Sequence, residues 1–157
     1  MFKPDNTLYD GQRIWLIDWE AAFLNDRFAD LSVVANHVVT NDAEELIFLR
    51  EYFGAEPTEY QRARFHLMRQ LAHLFYTMAF LTLGSSGESG NASSALPSFP
   101  EFQRRMWARE VDLADNSVKF EYGLVHWQQL VDNVRQPRYR EALKTISGRP
   151  VAPYGMA

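Results

Sequence analysis

The chain has no cysteine, which excludes disulfides, thiolate metal sites and thiol nucleophiles. It has no long apolar run. The most apolar stretch, Leu71–Leu83, is about 13 residues and contains His73, Tyr76, Thr77 and Thr82, whereas a membrane-spanning helix needs roughly 20. Lysine is scarce, with only Lys3, Lys119 and Lys144, and 16 basic side chains face 20 acidic ones for a net charge of −4. That balance excludes a nucleic-acid scaffold, which would carry a net basic face. The opening Met1-Phe2-Lys3-Pro4-Asp5-Asn6 has no apolar signal-peptide core, because Pro4 and Asp5 interrupt it. A cytoplasmic location, with no membrane association, is the expectation.

What is present is aromatic and apolar. Of 157 residues, 46% are hydrophobic, with 11 Phe, 7 Tyr and 4 Trp, a composition that needs burial and argues against disorder. The length corresponds to one domain, residues 1–157, large enough to bury most of its apolar surface. The first twenty residues predict a β-hairpin. Thr7-Leu8-Tyr9 and Ile14-Trp15-Leu16-Ile17 are β-prone runs around Asp10-Gly11, a dipeptide suited to tight turns.

The pattern then becomes helical. Leu31, Val34, Ala35 and Val38 recur at spacings of three and four, with Asp30 placed to cap that helix. A second helix starts at Asn41 or Asp42, carries Leu46, Ile47, Leu49 and Phe53, and stops at Gly54. Thr58 and Gln61 form a capping-box signature for the longest helix, running to about Leu83. Its polar side shows Arg62 and Arg69; its apolar side shows Phe65, Leu71, Leu74, Phe75 and Met78. Residues 84–98 read as a flexible Gly/Ser-rich loop within the domain. Helical patterns follow over about Glu101–Asp115, Lys119–Val134 and Arg138–Ile146. The expected fold class is mainly α, with about six helices and one short hairpin.

The chemistry concentrates in residues 1–35. A hairpin brings its two ends together, so Asn6 and Asp18 are expected to converge at its open end. An amide oxygen and a carboxylate form a hard oxygen site suited to Mg²⁺, which takes few protein ligands and completes its shell with phosphate and water. Lys3 is within reach of the same point. Such a trio stabilises a transferring phosphoryl group.

Phe2-Lys3-Pro4-Asp5-Asn6 resembles the end of the catalytic loop of the kinase superfamily. Ile17-Asp18-Trp19-Glu20 and Asn25-Asp26-Arg27-Phe28-Ala29-Asp30-Leu31 are similar to segments of the choline/ethanolamine kinase and aminoglycoside phosphotransferase family. The resemblance implies the C-terminal lobe of a protein-kinase-like fold that transfers phosphate from ATP to a small hydroxylated amine. It implies that Asn6 and Asp18 bind the Mg²⁺ bridging the ATP phosphates, that Lys3 approaches the γ-phosphate, and that Asp30 braces the catalytic loop. Glu20 points toward choline-type members, whose quaternary ammonium favours an aromatic cage with nearby acidic residues. Tyr122 and Trp127 are the candidate aromatics, although five residues apart they do not share one tight helix face.

The departure from the family is specific. Counting back from Asn6, the catalytic Asp falls on Met1, and the nucleotide-covering loop and phosphate-gripping lysine would lie upstream. The chain is therefore expected to be inactive alone. A second reading is a non-catalytic helical lobe acting through partner binding, or as a homo-oligomer that covers the face left by the absent lobe. A third is a metal-dependent hydrolase using Asp18, Glu20, Asp26 and Asp30. On simpler readings, Asp26 and Arg27 are a solvated loop pair, and Arg62, Arg64 and Arg69 a solvated face. His37, His66, His73 and His126 are packing or surface residues, and Phe75, Tyr76 and Phe80 belong to the core.

Overall fold

The computed structural model describes residues 6–18, 25–85 and 95–148. Lys3, Glu20, Met1 and most of the 84–98 loop lie outside the described residues. Within them the chain forms one antiparallel hairpin, β1 (Thr7–Tyr9) and β2 (Ile14–Leu16), followed by six helices. These are α1 (Arg27–Val38), α2 (Asp42–Phe53), α3 (Glu59–Gly84), α4 (Phe99–Trp107), α5 (Asn116–Arg135) and α6 (Pro137–Ser147). Among the described residues no helix is long and apolar enough to cross a membrane.

The hairpin register pairs Thr7 with Leu16, Leu8 with Trp15 and Tyr9 with Ile14. Asp10 organises the turn. Its carboxylate accepts from the backbone N–H groups of Gln12 and Arg13 at 2.9 and 2.8 Å and from the Trp15 indole at 2.8 Å. The indole bond first, then the two backbone donors, hold this carboxyl below its usual range. Gly11 takes φ 95°, a conformation open to glycine. The strands expose apolar side chains on both faces, and no helix packs extensively against them.

The helix ends follow local chemistry. Asn41 accepts from the Glu44 N–H at 3.0 Å to start α2, and Gly54, at φ 64°, ends it. Thr58 and Gln61 exchange the two bonds of a capping box at the start of α3. Two expectations are corrected. The cap of α1 is Asp26, whose side chain accepts from the Phe28 N–H at 3.0 Å; Asp30 sits exposed in the first helical turn. Asp26 also pairs with Arg64 across the fold, so neither belongs to a purely solvated set. The helix expected over Glu101–Asp115 ends at Trp107. Arg109 adopts φ 56°, and Glu110 N–H returns to the Arg105 carbonyl at 2.8 Å, closing a Schellman turn without glycine.

The core has two parts joined by α3. Phe28, Leu31 and Ala35 of α1 meet Val39, Leu49 and Phe65. Farther along α3, Tyr76 meets Phe102, Tyr122 and Val125. The inward face of α3 differs from the expected one. Phe65 is buried, but Leu71, Leu74, Phe75 and Met78 form an exposed stripe, while His66, Gln70, His73 and Thr77 face inward. Each of these inner polar residues but His66 finds a partner, which keeps their burial affordable. Arg69, expected on a solvated face, is largely buried as well.

Two glycines set the close crossing of α3 and α5. A Cβ on Gly84 would lie 2.5 Å from the Phe120 backbone N and 2.7 Å from the Asn116 carbonyl O. A Cβ on Gly123 would lie 2.9 Å from the Leu81 backbone N. Each helix therefore presents a glycine to the other's backbone. Alanine gains about 1 kcal/mol of helix propensity over glycine, but a clash with backbone cannot relax by a rotamer change and costs about 1–3 kcal/mol. Gly84→Ala is expected to lower stability, by up to about 2 kcal/mol net. A urea midpoint equal to or above the parent's would refute this close approach.

Candidate functional site

Asn6 and Asp18 meet as the hairpin topology requires. The Ile17 N–H donates to the Asn6 carbonyl at 2.9 Å, extending the ladder one step beyond Thr7 and Leu16. Immediately past it, Asn6 Nδ2 donates to Asp18 Oδ2 at 2.7 Å. Asp18 takes φ 67°, a left-handed conformation that a non-glycine residue holds only when its surroundings over-determine it. Aspartate tolerates that region better than most side chains. Asn6 meets Asp18 through its amide nitrogen, so its oxygen, a hard donor like the carboxylate, would join Asp18 at a metal only with the amide turned over. This set fits Mg²⁺, which needs only one or two protein ligands when phosphate supplies the rest. Among the described residues no group of three or more His, Asp or Glu is placed to hold a metal ion.

The other expected site residues do not join this pair. Tyr122 is fully buried, stacked on Phe102 with ring centroids 4.8 Å apart, and its hydroxyl accepts from Gln103 Nε2 at 3.3 Å. Burial pushes that hydroxyl's pKa well up, so it stays protonated. Trp127, on the same helix, is 49% exposed. The two therefore form no aromatic cage; Tyr122 is a core residue. Asp30 is exposed on α1 and is not the cap from which it was expected to brace the catalytic loop.

The histidines are mostly interior. His73 Nδ1 and His126 Nδ1 are 2.8 Å apart, so one ring carries its proton on Nδ1 and the other must not. Desolvation depresses both, with His73 brought down to about 3. His66 is also buried and brought down to about 4, by desolvation first and then by Arg138 and Arg69. The imidazoles are neutral at pH 7.

A cavity of about 480 Å³ opens between the helices, away from Asn6 and Asp18, neither of which lines it. Its polar wall includes Arg69, Arg104 and Arg138, and Asp42 is its one carboxylate. Behind it lies a buried network. Arg69 donates to Asn36 Oδ1 at 2.8 Å, to Glu45 Oε2 at 3.2 Å and to the Val39 carbonyl at 3.3 Å. Arg138 donates to Asp42 at 2.8 Å and also to Glu45. All three guanidiniums are paired, with Glu45, Asp42, Glu101 and Glu110, so the wall presents N–H donors without net positive charge, and Asp42 alone offers the kind of carboxylate a quaternary ammonium requires. Sequence reasoning missed this cavity because its wall is drawn from all six helices. The one local signal was Arg69 at the head of a charge-free segment, Gln70–Gly84.

No family model, curated protein or solved structure matches the chain.

Proposed function

We propose that the chain is the C-terminal lobe of an ATP-dependent phosphotransferase resembling the choline/ethanolamine and aminoglycoside kinases, passing a phosphoryl group to a small hydroxylated amine. The observation that carries this reading is the 2.7 Å contact between Asn6 and Asp18 at the open end of the hairpin. Asp18 would ligate Mg²⁺ through its carboxylate and Asn6 through its amide oxygen once the amide turns over and gives up its bond to Asp18, and the metal when bound would neutralise charge on the nucleotide phosphates. The strained backbone at Asp18 favours the same reading, since such strain collects where a side chain must be aimed. On the same reading Met1 stands at the position of the base that takes the acceptor's proton, so turnover by this chain alone is not expected.

Calorimetric titration with Mg-ATP tests the half-site. Binding is expected for the parent chain and is expected to weaken by ~10–100-fold or more in Asp18→Ala, because losing a metal ligand costs at least as much as losing an outer partner. Absence of heat at millimolar nucleotide, or equal binding by Asp18→Ala, would overturn the reading. The alternative, a lobe that acts by association, is favoured by the exposed apolar hairpin and the α3 stripe of Leu71, Leu74, Phe75 and Met78. Its sign would be a molecular mass that rises with concentration.

A further inference from the structure

We propose that the cavity between the helices is a binding site for a small organic oxyanion, a phosphate monoester or carboxylate carrying a flat apolar body. Its volume of about 480 Å³ falls within the range of small-molecule sites. Three guanidiniums reach its wall, whereas Glu45, Glu101 and Glu110, which pair with them, do not. The one carboxylate of the wall, Asp42, has an exposed side chain and lies at the rim. An anion inside therefore meets donors first.

Donor capacity remains. A guanidinium carries five N–H groups; Arg138 spends two of them on Asp42 and Glu45, and Arg69 spends three on Asn36, Glu45 and the Val39 carbonyl. Planar donors of this kind match carboxylate and phosphate oxygens in pairs. A second observation comes from His66, which lines the cavity, is 7% exposed, and has an Nε2 with no hydrogen-bond partner. Buried polar atoms are normally satisfied; this nitrogen is sealed from the cavity as the ring lies, and a turn of the ring toward the wall would let a ligand supply the bond the fold does not. The α6 N-terminus adds to the effect, since Gln136 provides no side-chain cap there and both Gln136 and Arg138 line the cavity. Phe99, Pro100 and Trp107 form the apolar side against which a flat body would lie.

The test is an amide-resolved NMR titration of the full chain with phenyl phosphate, benzoate, inorganic phosphate and benzylamine. Saturable shifts at the Trp107 indole and around residues 136–139 are expected with phenyl phosphate or benzoate at millimolar concentration, and none with benzylamine. The stronger of the two anions identifies the headgroup. Inorganic phosphate, lacking the apolar body, is expected to bind about tenfold more weakly. Arg104→Gln and Trp107→Ala, both on the exposed rim and outside the buried network, are each expected to weaken binding about tenfold. The proposal is overturned by the absence of saturable shifts, by equal binding of benzylamine, or by parent-like affinity in both variants. Because the cavity shares no residue with the Asn6–Asp18 pair, failure here leaves the nucleotide titration unaffected, and the converse holds.

Discussion

Lowering the pH from 7 to 5 is expected to remove about 4 kcal/mol of stability through His73 and His126 alone, about 2 kcal/mol for each ring. Both rings are buried and neutral in the fold, with pKa depressed by desolvation. In the unfolded chain each titrates near 6.5. Between pH 6.5 and the depressed folded values the unfolded state binds protons that the folded state refuses, so stability falls as pH falls. His66, brought down to about 4, adds to the loss in the same direction. The carboxylates held low by their partners, such as Glu56 beside Arg50, contribute only at lower pH, below their ordinary range near 4.5. Urea unfolding at pH 7, 6 and 5 isolates the imidazole part. The double variant His73→Leu with His126→Phe removes both members of the hydrogen-bonded pair together, which leaves no orphaned nitrogen between them. It is expected to flatten the pH dependence by about two protons. A parent chain equally stable at pH 7 and 5 would mean that these rings are not excluded from water.

Glu45→Ala is expected to cost about 3–5 kcal/mol, a large share of the 5–15 kcal/mol typical of a domain. The Glu45 side chain is 4% exposed and binds both Arg69 and Arg138. It joins α2 to α3 and α6 at one point. Truncation leaves the more deeply buried Arg69 without its carboxylate and Arg138 with only the exposed Asp42, and an uncompensated buried charge is what makes such losses large. Glu45→Gln keeps acceptor oxygen and shape and should cost less. By contrast Glu56→Ala, which breaks an exposed pair with Arg50, should cost at most about 1 kcal/mol. Denaturant titration of the three variants measures the order. A Glu45→Ala loss under about 1 kcal/mol would place the network among ordinary surface pairs.

Much of the architecture was legible because it rests on local signals. Asp10-Gly11 announced the turn, Asn41 and Gly54 bracketed α2, and Thr58 with Gln61 announced α3. The convergence of Asn6 and Asp18 was legible for the same reason, since hairpin topology alone brings those positions together. The inner face of α3 was not legible. Periodicity ranks Leu71, Leu74, Phe75 and Met78 above His66, Gln70, His73 and Thr77, but Gln70, His73 and Thr77 are buried with bonds to carbonyls one turn back, to Asn133 and to His126. Asn133 and His126 are distant in sequence and leave no local trace. The α1 cap was misplaced because Asp26 and Asp30 lie one turn apart, and the contact of Asp26 with Arg64 spans 38 positions. The early stop of α4 was hidden because Arg109, not glycine, takes the left-handed turn.

The hairpin that carries Asn6 and Asp18 has three-residue strands whose side chains lie largely outside the core. An isolated two-stranded hairpin is only marginally stable in water, and segments with few buried contacts open locally at little free-energy cost. On the proposed reading, the affinity for a nucleotide at this pair would be the intrinsic affinity multiplied by the fraction of molecules whose strands are closed. Any surface that clasps Tyr9, Ile14 and Trp15 would raise that fraction, and on the same reading would tighten nucleotide binding without touching the nucleotide. The closed pair is thus a population that can be set from the far end of a ribbon.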